Sequence, residues 1–468
     1  MQPNKLRNLR SLLRAHASRR DLAISGVEGH VGLADTLAGT CLHGGEHDLA
    51  GKSILLATPD QLTTALALIE LDGIAKRLVL CPGDVDPRHF DAIATTAGID
   101  VIICGEDATQ LRHLGRPLRR AEPAMVRGAT HDAPSHCTEW VLLTSGTTGA
   151  PKLVRHDLAS LTAPIKPSTN SRDDTVWATF YDIRRYGGLQ IFLRAMVGGS
   201  PMTLSSAGEA VDAHLARLAR SRVTHVSGTP SHWRRVLMSG AADTMSPRYV
   251  RLSGEIADQG VLDALKAAYP GAAISHAYAS TEAGVGFNVI DGQEGFPATL
   301  VTGDSLDADV DIKIEDDTLR LRSSRTAMDY LGAGEAAIHG TDGFVDTGDM
   351  VERRGERYVF VGRRGGIINV GGQKVHPEEI ETVINRHPAV QGSLVRARRS
   401  PITGALVIAD VVIKPSASEA RVDGDLTRLA EDILQGCRAA LRPHKVPTRI
   451  RFVPKLDIAA TGKLQRSQ

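Results

Sequence analysis

SILLAT (53–58), QLTTALALIELDGIA (61–75), RLVLCPG (77–83), PRHFDAIATTAGI (87–99) and DVIICG (100–105) follow one another almost without a gap. The first, third and fifth are short apolar runs that read as strands. The two between them read as helices. Strands alternating with helical stretches of about 10–15 residues indicate βαβ units and a mainly parallel sheet. The same alternation returns after residue 200. HLARLARS (214–221), SHWRRVLMS (231–239) and VLDALKAAYP (261–270) read as helices, and VTHVSGTP (223–230), YVRLSGE (249–255) and AISHAYAS (273–280) as strands. The fold class is therefore α/β.

Towards the C-terminus the pattern changes. VDIKI (310–314), TLRLRS (318–323) and RYVFVG (357–362) alternate with period 2, which predicts a β-rich subdomain over about 300–361. The last hundred residues mix PEEIETVINRH (377–387) and DLTRLAEDILQGCRAAL (425–441) as helices with GSLVRAR (392–398), ALVIADVVIK (405–414) and RIRFV (449–453) as strands. The Gly/Arg cluster GRRGG at 362–366 marks the boundary between a large N-terminal unit, 1–361, and a small mobile α+β unit, 362–468, with a hinge at 363–366. At the other end, Leu6, Leu9, Leu12 and Leu13 fall on one helical face, so the basic N-terminus reads as a first helix of the domain rather than a targeting segment. Residues 112–137, rich in Pro, Arg and His, read as a surface connection.

The 468 residues balance 55 Lys+Arg against 54 Asp+Glu, a formal charge of +1. No global field draws nucleic acid or an anionic membrane. Only 12 of the basic residues are lysine, so a Lys inside a motif stands out from background. Five cysteines (Cys41, Cys81, Cys104, Cys137, Cys437) are scattered, odd in number and never in a C-x-x-C pair. That usage fits reduced thiols in a cytoplasmic protein better than a disulfide frame or a zinc site. No apolar run reaches the ~18 residues of a membrane span.

The sharpest local signal is Thr144-Ser145-Gly146-Thr147-Thr148-Gly149-Ala150-Pro151-Lys152, directly after the apolar strand WVLL. Its glycines let backbone approach a ligand closely, its hydroxyls are short donors, and Lys152 adds charge. Such a composition suits polyphosphate oxygens. The plain alternative is a flexible polar surface loop. A Walker P-loop is excluded, because Ala150-Pro151 separates Gly149 from Lys152.

Four further segments follow in order: Tyr278-Ala279-Ser280-Thr281-Glu282; Thr347-Gly348-Asp349; Gly362-Arg363 with Gly371-Gly372-Gln373-Lys374-Val375-His376-Pro377; and Thr461-Gly462-Lys463. Together with the loop they resemble the acyl-adenylating superfamily of acyl-CoA synthetases, peptide-synthetase adenylation domains and luciferases. The resemblance spans about two thirds of the chain. It implies that Thr144–Gly149 and Lys152 hold phosphates, Tyr278 packs against adenine, Asp349 accepts from the ribose hydroxyls, and Arg363 reaches the ribose or the phosphates. It implies further that Thr281 meets the α-phosphate, Glu282 holds Mg²⁺, and Lys463 is the catalytic lysine. Gly371 and Gly372 would line a thiol channel. As isolated strings, YASTE would be a strand end with a helix cap, DTGD a turn, and Lys463 a solvated tail.

The acyl pocket is expected around Tyr181, Arg184, Tyr186, Gly188, Ser253 and Gly254. An Arg there would meet a polar or second-carboxylate-bearing acid; the plain alternative places Arg184 and Arg185 on a solvated helix start. Two departures stand out. Gly365 occupies the hinge position where the family commonly has Asp or Lys, and the stretch before the phosphate loop is short. The resemblance implies an ATP- and Mg²⁺-dependent enzyme that converts a small or medium carboxylic acid to acyl-AMP. The acyl group then goes to coenzyme A or to the phosphopantetheine thiol of an acyl carrier protein. A transfer to an amine and a catalytically decayed nucleotide-binding regulator are the alternatives.

Overall fold

The computed structural model describes residues 8–19, 21–44, 48–127, 136–144, 151–166, 174–302, 309–332, 334, 337–370, 373–400, 404–414, 424–457 and 463. Two eight-stranded sheets form most of the N-terminal unit. In one, Ser53–Ala57 lies between Arg77–Leu80 and Val101–Cys104, all parallel, and Arg77–Leu80 pairs in parallel with Glu139–Thr144. In the other, Trp177–Thr179, His225–Gly228, Tyr249–Ser253 and Ala273–Ser280 run parallel in succession. Antiparallel strands close the edges: Lys152–His156 and Asp329–Leu331 on the first, Gly284–Val289 on the second.

Helices Gln61–Leu71 and Tyr186–Val197 lie in the core shared by the two sheets, which joins Ile54, Leu56, Leu80 and Leu142 to Ile24, Trp177 and Met202. Every residue of Gln61–Leu71 is buried, its polar members Gln61, Thr63, Thr64 and Glu70 each held by hydrogen bonds. Its entry is fixed by Asp60, whose side chain accepts from the Thr63 N–H. The outer faces of the sheets pack against other helices. Phe90–Thr96 covers the first, and Val211–Arg220, Pro230–Met238 and Gln259–Ala268 cover the second.

The β-rich subdomain is an antiparallel five-stranded sheet in the order Phe296–Pro297, Arg357–Arg363, Val345–Arg354, Thr318–Ser323, Val310–Glu315. It begins just before residue 300 and its strand runs on to Arg363. Asp329–Leu331 leaves it to join the first large sheet. The C-terminal segment has its own core, in which helices Pro377–Asn385 and Gly424–Ala440 pack on the sheet of Val390–Ser400, Gly404–Ile413 and Arg449–Phe452. It touches the N-terminal unit through Arg386 and Glu294 (2.8 Å) and Asn385 and Asp258 (3.4 Å).

One reading of the sequence is corrected. Residues 112–137 are not only a connection, because Leu118–Arg127 is a strand that pairs with Val101–Cys104 and Gly39–Leu42. Its apolar residues fall on both faces, Leu118, Ala124 and Val126 exposed on one and Ala121 and Met125 packed inward on the other, so it shows no period-2 signal.

Buried histidines make this fold acid-sensitive. Burial pulls His156 and His225 down to about 4 and His232 to about 3. Unfolded chains take up protons that these rings refuse, so stability present at pH 7 is lost as pH falls through 6.5 towards 4. For fully buried His156 alone the loss is about 2–3 kcal/mol. Urea unfolding at pH 7 and pH 4.5 should show it, and His156→Gln should shrink the difference; equal stability at both pH values would refute the account.

Candidate active site

The loop strands Glu139–Thr144 and Lys152–His156 are antiparallel neighbours, with Thr144 opposite Lys152 in register. Between them in the sequence stand Ser145, Gly146, Thr147, Thr148 and Gly149, which lie outside the described residues. After them the Lys152 ammonium sits 4.6 Å from the centroid of the Tyr330 ring. The Tyr330 hydroxyl in turn donates to Glu282 Oε1 at 3.2 Å. Further along the same strand, buried His156 places Nε2 2.8 Å from the Thr281 carbonyl. The strand leaving the loop therefore fixes both Thr281 and Glu282.

Asp349 collects a second set of contacts. Gly348 has φ +69, a conformation natural to glycine, and Thr347 Oγ1 accepts from the Asp349 N–H. The carboxylate accepts from the Tyr278 hydroxyl at 2.6 Å and pairs with Arg363 Nε at 3.0 Å. Arg363 also donates to the Thr347 carbonyl at 3.0 Å. Tyr278 is half-buried, its ring nearly parallel to Phe360 (5.4 Å, 9°) and Phe287 (5.6 Å, 22°). Burial, then the Asp349 charge, pushes its phenol well up.

Lys463 reaches this place from the C-terminal segment. A Cβ added to Gly254, which has φ +85, would stand 3.6 Å from Lys463 Cε and 3.8 Å from Thr229. Lys463 keeps solvent access, yet the protein crowded around its ammonium draws its pKa below the ordinary value. Glu255 opposes that shift, Arg363 reinforces it, and Asp349 and Glu282 oppose it. The lysine thus stands among residues the sequence analysis singled out, separated from them by up to about two hundred positions.

The acyl side differs from expectation. Arg184 is buried but not available: its guanidinium is taken up by Asp182 and by the Thr58 carbonyl at 2.7 Å. Arg185 pairs with Asp84. Neither is a solvated helix start, and Arg184 is corrected from a pocket ligand to a brace for its own loop. Gly188 serves close packing, since a Cβ there would stand 2.2 Å from the Asp182 carbonyl oxygen. Tyr181 is buried and donates to the Ser253 carbonyl at 2.7 Å, holding the strand end that leads into Gly254.

Tyr186 and Ser253 do line a small cavity, together with Gln190, Arg194, Arg251 and Val285. Sequence reasoning missed Arg194 and Arg251. The signal was present: Tyr186, Gln190 and Arg194 are spaced i, i+4, i+8 and share one helix face, and Arg251 lies two residues from Ser253, hence on the same face of its strand. Gly371 and Gly372 lie outside the described residues.

Residues 81–340 match the family model described as AMP-binding enzyme, and 379–463 that of the AMP-binding enzyme C-terminal domain. The chain belongs to the AMP-binding enzyme family. Related proteins include a 2-succinylbenzoate–CoA ligase of Listeria innocua, 26% identical over 360 residues covering 73% of each chain. Another 2-succinylbenzoate–CoA ligase, from Staphylococcus aureus, is 24% identical over 88% of this chain and 83% of that one. Among solved structures, a benzoate CoA ligase from Burkholderia xenovorans LB400 shares the fold with TM-score 0.80 at 22% identity, covering 98% of this chain and 99% of that chain.

In an AMP-binding enzyme the Asp349 cluster has a direct readout. Asp349→Ala should weaken AMP binding by about 10- to 100-fold, since it removes a charged acceptor and leaves Tyr278 and Arg363 without their partner. Tyr278→Phe should cost only about 3- to 10-fold. Calorimetric titration with AMP checks both, and equal affinity across the three proteins would dissociate the cluster from the nucleotide.

Proposed function

We propose that this AMP-binding enzyme activates a small or medium carboxylic acid with ATP and passes the acyl group to the thiol of coenzyme A. The observation that carries the reading is Lys463 brought over Gly254, amid Glu255, Arg363, Asp349 and Glu282. The ligase names of the sequence relatives support coenzyme A as acceptor.

In the first step a carboxylate oxygen of the acid attacks the α-phosphorus of ATP. The bond from that phosphorus to the bridging oxygen breaks, and pyrophosphate leaves. Negative charge grows on the oxygens around phosphorus and on the leaving group, and the Lys463 ammonium stabilises it. Asp349 has acceptor capacity left beyond Tyr278 and Arg363 for the ribose hydroxyls. Tyr278 presents the open part of its ring to adenine, and the Thr281 hydroxyl donates to the α-phosphate. Among the described residues no group of three or more His, Cys, Asp or Glu side chains could hold a metal unaided. One carboxylate is what a Mg²⁺ shared with nucleotide phosphates needs, and Glu282 supplies it. That ion would neutralise phosphate charge.

In the second step the thiol sulfur attacks the acyl carbon, the bond to AMP oxygen breaks, AMP leaves and the thiol proton passes to solvent. Lys463 has no task there. The segment after Arg363 turns about the residues 363–366, where a Cβ added to Gly365 would meet nothing within 4 Å. Few exposed contacts oppose that turn; the Arg386–Glu294 pair is worth little in water. The described residues contain no helix long and apolar enough to cross a membrane, and the free cysteines support action in the cytoplasm.

Acid-dependent exchange of pyrophosphate into ATP over a panel of carboxylic acids tests the first step. Lys463→Ala should lower it by ~10²-fold or more. With coenzyme A added, thioester and AMP should form together, and a phosphopantetheinylated carrier should not replace coenzyme A. Exchange unchanged in the variant would remove Lys463 from the mechanism, and exchange with no acid would remove the ligase reading.

A further inference from the structure

The cavity beneath Ser253 is about 20 Å³ in size, on the scale of one water. Ser253 on its wall directly precedes Gly254, beside which Lys463 arrives. Its floor is cationic. Arg251 is 8% exposed, and among the described residues its guanidinium meets only neutral side chains, Asn288 Oδ1 at 3.0 Å and the Tyr249 hydroxyl. Arg194 has only a long contact, 3.4 Å, to the Pro164 carbonyl. Neither forms an ion pair among the described residues. Arg325 stands behind them, donating to the carbonyl of Val285 at 3.2 Å, with exposed Asp309 3.9 Å away. The Tyr186 hydroxyl on the cavity wall is buried without a hydrogen-bond partner among the described residues.

Two arginines set together inside a protein without an anion are unfavourable, both from lost hydration and from mutual repulsion. The strain is visible on both sides. Burial and the neighbouring Arg251 draw Arg194 down to about 10. Although burial pushes the Tyr249 phenol up, Arg251 and the Ser275 hydroxyl leave it below its ordinary value. Buried Arg184, by contrast, is matched by Asp182. An unmatched pair on the wall of a substrate pocket has a simple resolution: the anion comes with the substrate.

We propose that the acid activated by this enzyme carries a second anionic group remote from its reacting carboxylate, and that Arg194 and Arg251 bind that group and select for it. The inference rests on the acid-activating function proposed above. Arg251 is three residues from Gly254 along an extended strand, roughly 10 Å by strand rise. The substrate is therefore a short diacid, aliphatic or aromatic, and its second carboxylate meets two guanidinium forks while Tyr186 adds a hydroxyl donor.

Matched pairs of acids test this: butyrate against succinate, pentanoate against glutarate, hexanoate against adipate, and benzoate against phthalate. In pyrophosphate exchange the best diacid should exceed its monoacid partner in kcat/KM by about 100-fold or more, because the monoacid leaves both guanidiniums unpaired. Arg251→Met and Arg194→Met should each lose about 100-fold on that diacid and little on the monoacid. Arg251→Lys, which keeps the charge, should recover part of the loss. Preference for the monoacid in every pair, or variants that fall equally on both members, would overturn the proposal. A melting-temperature rise on adding the same diacids separates selectivity from catalysis. Stabilisation of the wild type but not of Arg251→Met, without exchange, would keep the anion site and discard the ligase reading. Absence of both exchange and stabilisation would discard both.

Discussion

One carboxylate ties three parts of this molecule together. Asp349 belongs to the antiparallel subdomain, accepts from Tyr278 on the parallel sheet, and pairs with Arg363 where the chain leaves for the C-terminal segment. None of these contacts is strong alone, since Arg363 is 65% exposed and such pairs contribute little in water. Their value is geometric. A ligand that takes up a share of Asp349 is felt at once by the aromatic cluster of Tyr278, Phe360 and Phe287 and by the hinge arginine.

Charge is sorted along the site although the chain as a whole is nearly neutral. Glu282, Asp349 and Glu255 gather around Lys463, whereas Arg194 and Arg251 occupy the cavity floor under Ser253. An acid entering this field is orientated before any bond forms, with its extra negative charge drawn inward and the reacting end left beside the lysine. The small number of lysines in the sequence gives Lys152 and Lys463 added weight, because both stand at the nucleotide side of this gradient.

The alternation of apolar runs and helical stretches made the two parallel sheets readable, because strands such as Ser53–Ala57 are buried almost throughout and announce themselves by composition. Leu118–Arg127 was not readable, since its apolar residues are spread over both faces and leave no periodic signature. The segments proposed to bind the nucleotide were legible as motifs, and Glu282, Asp349 and Arg363 from them lie around Lys463. The acyl pocket was legible only in part. Arg184 looked like a ligand because nothing in the sequence shows that Asp182, two positions away, folds back to occupy it. Arg194 looked like an ordinary helix residue, because the parallel strand that sets Arg251 beside it lies more than fifty positions further on.

The helix Gln61–Leu71 has consequences for how this chain can be handled. It has no face of its own to show to water, and the two sheets that enclose it draw strands from sequence positions as distant as Ala23 and Val289. Neither sheet is a module that survives on its own. A fragment ending near residue 144 would lack the second sheet and leave part of this buried helix open to solvent, a surface that associates rather than dissolves. During synthesis the same helix emerges long before its second wall, so the nascent chain must keep it sheltered until Tyr249–Ser253 and Ala273–Ser280 are made. Dissection of this enzyme is therefore practical at the hinge, and not within the first three hundred residues.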